Sequence, residues 1–291
     1  MRLSQHYKIG YTLHNMKNTF SFKHVQRKFG KGYFFATQLF PKELRDVVYA
    51  LYAFVRIPDE IVDTEYDNEH AKVLLIKWEE SWKQAYEKKE STDVLLEEMS
   101  HICTKYAIPY SWTEDFLNAM IQDTEKKEYQ TYEELEKYMH GAAGVVGLMM
   151  TNIIGSEKNA YPYAEKLAYA MQLTNILRDI REDYEKRGRI YIPQDELLLS
   201  NIDRRYIRDH IVNDTWKSFM KLQIKRARTL YREAEPGIDL LDTRGRKAVR
   251  LASRLYEKIL DKIELADYDV FSKRAHTTMC EKLWIYITCK K

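Results

Sequence analysis

Glycine and proline are scarce, ten and six in 291 residues, so turns are few and the elements between them are long. The three cysteines, Cys103, Cys280 and Cys289, show no CxxC spacing. That argues against a disulfide framework and suits a reducing, cytoplasmic setting. No stretch approaches the ~18 apolar residues of a membrane span, and the basic N-terminal twenty residues lack the apolar run of a signal peptide. A formal charge of +3 is too slight to point to a nucleic-acid partner. GxSxG, GxxxxGK[ST], HExxH and a strand-borne GxGxxG are all missing, which removes the serine triad, the usual nucleotide cradles and histidine-ligated zinc.

What remains is a chain 45% apolar and 31% charged, patterned at helical period. Residues 29–40 read as a helix that Pro41 ends. The next helix carries the stripe Leu44, Val48, Leu51 and Val55 and meets Pro58, where it bends or restarts. Amphipathic helices follow over 70–89, 92–106 and 111–127. The run 131–155 opens with a Thr131/Glu134 capping box. It carries Gly141, Gly144 and Gly147, each costing about 1 kcal/mol in a helix interior, so close packing or a slot for a bulky substrate must explain them. A helix over 163–186 ends at Gly188 and a short flap, 189–193. Two long helices fill 214–265, broken near Pro236 and Gly237, and a last one spans 275–287. Its apolar segment 283–287 reads as a core helix, with membrane-surface contact as the alternative. The reading is one all-α domain over residues 1–291, with residues 1–28 as a loose N-terminal arm.

Two acidic stretches stand out. In YALYAFVRIPDEIVD (49–63), Asp59 and Asp63 lie four apart beside Arg56. In QLTNILRDIREDYEKRGRIYIP (172–193), Asn175, Asp179 and Asp183 repeat that spacing beside Arg178. Residues four apart share a helix face, so each stretch offers a stripe of hard oxygen ligands. Two such stripes on one cavity suit Mg²⁺, or Mn²⁺, holding a diphosphate. A solvated helix end would explain the first stripe alone. The second lies among Leu173, Ile176, Leu177 and Ile180, where an unpartnered carboxylate is costly.

These residues carry a resemblance. The first stretch is similar to the D-[DE]-x-x-D motif after Y-A-x-x-R of the squalene/phytoene synthases, and the second to their Q-x-x-N-x-x-R-D-x-x-x-D motif and R-G-R-x-Y-x-P flap. YMHGAAGVVGLM (138–149) resembles their Y-x-x-x-x-A-G-x-V-G segment, and LYEKILDKIELADYDVF (255–271) their C-terminal signature. The resemblance implies an all-α isoprenoid-synthase bundle with a central cavity. The reaction it implies joins two allylic prenyl diphosphates head to head through a cyclopropylcarbinyl diphosphate. Asp59, Asp63, Asn175, Asp179 and Asp183 would be metal ligands. Lys31, Arg56, Arg178 and Arg189 would contact diphosphate, and Tyr52, Tyr138, Gln172 and Tyr256 would line the reaction centre.

The chain departs from the pattern at residues 29–32, where lysine is kept but the histidine and hydroxyls of a His-Ser-Lys-Ser-like element are replaced; Lys273 stands where arginine is common. Small residues, Ala36, Thr37, Ala142 and Ala143, favour two C20 geranylgeranyl diphosphates and phytoene as product. The alternative is a C30 synthase using two farnesyl diphosphates, with NADPH needed only for squalene. A non-catalytic assembly or lipid-binding factor is the reading from another class. Peripheral membrane contact would serve release of an apolar product.

Overall fold

The scarcity of turn-forming residues is realised as long helices. The computed structural model describes residues 20–65, 67–156 and 159–289, and among them there is no β-strand, only the isolated bridges Glu128 to Ile190 and Ser156 to Leu241. The all-α expectation holds. The chain divides into two compact units, one running to Glu125 and one from Lys126 onward.

The first unit contains α1 (Phe20–Phe29), α2 (Lys31–Thr37), α3 (Lys42–Thr64), α4 (Asn68–Lys88), α5 (Val94–Lys105) and α6 (Tyr110–Glu125). The expected arm over 1–28 falls outside the described residues up to position 19. From Phe20 the chain is helical, and Phe22 and Val25 are buried as α1 packs against α3. Leu44, Val48 and Leu51 of the α3 stripe are buried, with Val55 partly so. Pro58 lies inside α3 without ending it. A proline there removes one hydrogen bond, and the helix continues to Thr64. Asp67 and Asp93 cap α4 and α5 by accepting from backbone N–H groups. Wholly buried Trp82 joins three helices: its indole N–H donates to Thr113 Oγ1 at 2.8 Å on α6, and its ring meets Phe54 of α3 edge-on at 4.7 Å.

The second unit contains α7 (Tyr132–Met139), a π turn (His140–Gly144), α8 (Val145–Ile154), α9 (Tyr161–Arg187), α10 (Gln194–Leu199), α11 (Arg204–Arg208), α12 (Asp214–Ile238), α13 (Thr243–Leu265) and α14 (Met279–Thr288). Helix α9 lies at its heart, packed against α8, α12 and α13. The glycine question resolves toward close packing. A Cβ on Gly147 would sit 2.9 Å from the Ala164 carbonyl oxygen of α9, and one on Gly144 would sit 3.0 Å from the Tyr169 ring.

Three expectations need correction. The break between the long C-terminal helices falls after Ile238, because α12 carries Pro236 within its last turn and the chain reverses only at 239–242. The Thr131 cap is real, but Glu134 returns to the N–H of Gln130, so the reciprocal box is incomplete; the complete box is at Thr278 and Glu281 on α14. Finally, 283–287 is no core helix. Ile285 is buried, whereas Leu283, Trp284 and Ile287 are 54%, 64% and 55% exposed. No helix among the described residues is long and apolar enough to cross a membrane.

Candidate active site

In the first unit the site residues gather on the last turns of α3. Arg56 reaches the carboxylates of both Asp59 and Glu60, and its Nη2 lies 3.9 Å from Asp63. Burial opposes the charge on this guanidinium, but Asp59, Glu60, Tyr52 and Asp63 together hold its pKa above the ordinary arginine value. Glu60 was not singled out from sequence. Its spacing of four from Arg56 was the available signal. Lys31 is exposed at the start of α2. Just before it, buried Gly30 accounts for part of the departure at 29–32. A Cβ there would lie 2.6 Å from the Tyr52 hydroxyl and 2.7 Å from its ring, so Tyr52 occupies the space that a larger residue would claim.

In the second unit, α9 runs unbroken through Gln172, Asn175, Arg178, Asp179 and Asp183. The Asp179 carboxylate is bound by Arg178 and, as a two-pronged pair at 2.6 and 2.9 Å, by Arg274 from the segment beyond α13. Burial alone would raise the Asp179 carboxyl; hydrogen bonds and charge from the two arginines hold it below its usual value. Asp183 accepts from Arg187 at 3.0 Å. Neither Arg187 nor Arg274 was anticipated. Arg187 follows Asp183 by one helical turn and could have been found, whereas Arg274 is 95 residues from Asp179 and arrives only through the fold.

The flap starts where α9 closes at Gly188. It is fastened to the strand-like segment before α7 by Ile190 N–H to Lys127 O at 2.8 Å and Gln194 N–H to Tyr129 O at 2.9 Å. Arg189 is thereby buried, its Nη1 3.4 Å from the Tyr191 hydroxyl. Tyr138 stacks on Tyr191 at 5.4 Å, and Tyr129 joins both at 5.3 and 5.8 Å. Only Tyr138 of this cluster was expected. Tyr256 is half-buried on α13. Wholly buried Tyr231 shares a 3.1 Å hydrogen bond with Thr174, and burial pushes its phenol well above the usual range.

Among the described residues no three His, Cys, Asp or Glu side chains are gathered as a ready cation site, since arginines take up the stripe carboxylates. The donor set nonetheless fits a hard cation. Asn175 Oδ1 is buried with no hydrogen-bond partner, which is costly for an amide oxygen unless a ligand supplies the missing contact, and it shares its helix face with Asp179 and Asp183.

Comparisons with known proteins agree with this arrangement. The family model described as Squalene/phytoene synthase matches residues 26–281. The chain is 37% identical over 266 residues to the chloroplastic phytoene synthase of Daucus carota, covering 89% of this chain and 66% of that protein. It is 35% identical to the chloroplastic phytoene synthase 3 of Zea mays, covering 89% and 62%. It thus spans slightly less than two thirds of the length of these relatives. The crystal structure of a dehydrosqualene synthase in complex with ligand superposes with a TM-score of 0.86 at 26% identity, covering 94% of this chain and 95% of that one.

Proposed function

Because the chain belongs to the squalene/phytoene synthase family, we propose that it is a prenyltransferase working as a single isoprenoid-synthase domain, and that it condenses two geranylgeranyl diphosphates into phytoene. The observation that carries the substrate choice is the 37% identity to a phytoene synthase, against 26% to a dehydrosqualene synthase.

The reaction has two ionisations. In the first, the C–O bond of one allylic diphosphate breaks and the diphosphate leaves with the electron pair. The cation alkylates the double bond of the second molecule, and a proton is lost, giving a cyclopropylcarbinyl diphosphate. In the second, that diphosphate departs, the cation rearranges and another proton is lost. Asp59, Asp63, Asn175, Asp179 and Asp183 would hold magnesium, which when bound supplies charge neutralisation for the leaving diphosphate. Lys31, Arg56, Arg178 and Arg189 would bind the diphosphate oxygens and orient them. Tyr138, stacked with Tyr129 and Tyr191, would offer an aromatic face, which stabilises a cation without capturing it. Tyr52, Gln172 and Tyr256 would complete the lining. The apolar product would be released to a membrane surface.

Purified protein incubated with Mg²⁺ and either the C15 or the C20 diphosphate tests this directly by product mass. A C40 hydrocarbon from the C20 substrate supports the proposal. A C30 product from C15 alone replaces it with the farnesyl reading, and no condensation with either returns the non-catalytic alternative.

A further inference from the structure

Helix α14 presents an apolar face to solvent. Taking 100° per residue, Met279, Leu283, Ile287, Cys280 and Trp284 fall within one arc of about 140°. All five are exposed, Met279 by 68% and Trp284 by 64%. The arc contains no charged side chain. The helix rests on α13 through buried Lys282 and Ile285 on its other side. Its one carboxylate, Glu281, is turned inward as well: it closes the α14 capping box and pairs with Lys262 of α13 at 2.8 Å. Three residues beyond Lys262, Leu265 is 75% exposed.

The charge of the surrounding chain identifies what would cover such a face. Between residues 273 and 291, Lys273, Arg274, Lys282, Lys290 and Lys291 stand against Glu281 alone. Arg274 is engaged by Asp179 and Lys282 is buried, whereas Lys273 is exposed. An exposed apolar arc containing tryptophan, on a basic stretch of chain, has the composition of a helix lying in the interface of an anionic bilayer. A second copy of the chain is a poorer match. In a two-fold contact the same basic stretch would face itself, and one face of a ten-residue helix is small beside the roughly 800 Å² per partner of a stable interface.

We infer that α14 is a membrane-docking element, inserting Met279, Leu283, Trp284 and Ile287 into the headgroup boundary of a bilayer containing anionic lipid. The inference deepens the proposed release of product to a membrane and depends on that reading only for its purpose, since the docking surface is separate from the chemistry.

The test is co-sedimentation of the full chain with vesicles of phosphatidylcholine, alone or with about one third phosphatidylglycerol. Wild type should bind the anionic vesicles. Replacing the four side chains together (Met279→Ser, Leu283→Ser, Trp284→Ser, Ile287→Ser) should weaken that binding at least about tenfold, with helical content and turnover of detergent-dispersed substrate unchanged. If the fourfold variant fails to fold, Leu283→Asp alone places one carboxylate on the exposed arc and should give the same loss. Failure of wild type to bind, equal binding to neutral vesicles, or undiminished binding by the folded variant would each overturn the inference. So would a wild-type dimer that the substitutions dissociate without any vesicle binding. Normal phytoene synthesis in a protein that ignores vesicles would sink the docking helix alone; vesicle binding without condensation would sink the proposed reaction alone.

Discussion

Asp63 and Asp179 are each within ion-pair distance of an arginine, and Asp179 is held by two. Asparagine preserves their size and removes their charge. Asp63→Asn and Asp179→Asn should each lower kcat/KM by about a hundredfold or more, the usual cost of one preorganised electrostatic contact, with the far-ultraviolet circular dichroism of wild type. Near-normal rates in both would return these carboxylates to an ordinary solvated helix face. Gly30→Ala asks a finer question. The clash is with the far end of the Tyr52 side chain, which can swing aside, so stability should change little. Activity should fall, because Tyr52 would leave its place. A melting temperature and a kcat/KM measured on the same sample separate the two effects. At this scale the sequence was most informative where candidate ligands repeat within one helix: Asn175, Asp179 and Asp183 needed only the helical period to be read. Glu60 and Arg187 obeyed the same period and went unread. Tyr129 and Arg274 could not be read that way, since one reaches the site through aromatic stacking and the other through a long chain reversal.

The helices themselves were largely legible, because apolar stripes and scarce breakers leave few alternatives. Their ends were less so. The sequence pattern predicts a break near Pro236, but α12 continues past it with Gly237 packed on Tyr163 of α9, and local propensity yields to that burial. The π turn at His140–Gly144 has no distinct sequence signature; the glycines there signalled close approach without saying how the chain achieves it. Gly147 gives an element-scale test. Alanine would gain about 1 kcal/mol of helix propensity. Its Cβ, however, meets backbone, the Ala164 carbonyl at 2.9 Å, which cannot rotate away. Overpacking of this kind costs about 1–3 kcal/mol. Gly147→Ala should therefore lower the melting temperature by a few degrees in calorimetry. A higher melting temperature would mean that α8 and α9 separate without penalty.

For the molecule as a whole, the length of the accepted prenyl chain is the property that the sequence approached only through side-chain size. Thr37 is buried at the end of α2, where its neighbours resist added volume. Thr37→Phe adds an aromatic ring, about the bulk of one isoprene unit, and a rigid wall discriminates by roughly 1–3 kcal/mol per methylene. Wild type should prefer the C20 diphosphate, and the variant should shift toward C15. The ratio of kcat/KM for the two substrates reads this out. An unchanged ratio would place Thr37 away from the prenyl chain and remove the size argument for phytoene.

The arginines on the α9 stripe have a thermodynamic consequence. A cation arriving alone at Asp179 or Asp183 must displace Arg178, Arg274 or Arg187 and leave guanidinium beside it. A cation arriving with diphosphate offers those same guanidinium groups a new anion. If these carboxylates take magnesium as proposed, metal and anion would be cooperative, and by reciprocity each would tighten the other by the same factor. Calorimetric titration of Mg²⁺ with and without inorganic pyrophosphate, corrected for the complex formed in solution, should show affinity rising at least about tenfold, within the usual range of such couplings. Equal affinities would mean that the arginines keep their carboxylates throughout. Coupling of this strength would leave the proposed metal site about tenfold weaker until diphosphate is present, with the arginines holding the carboxylates in the meantime.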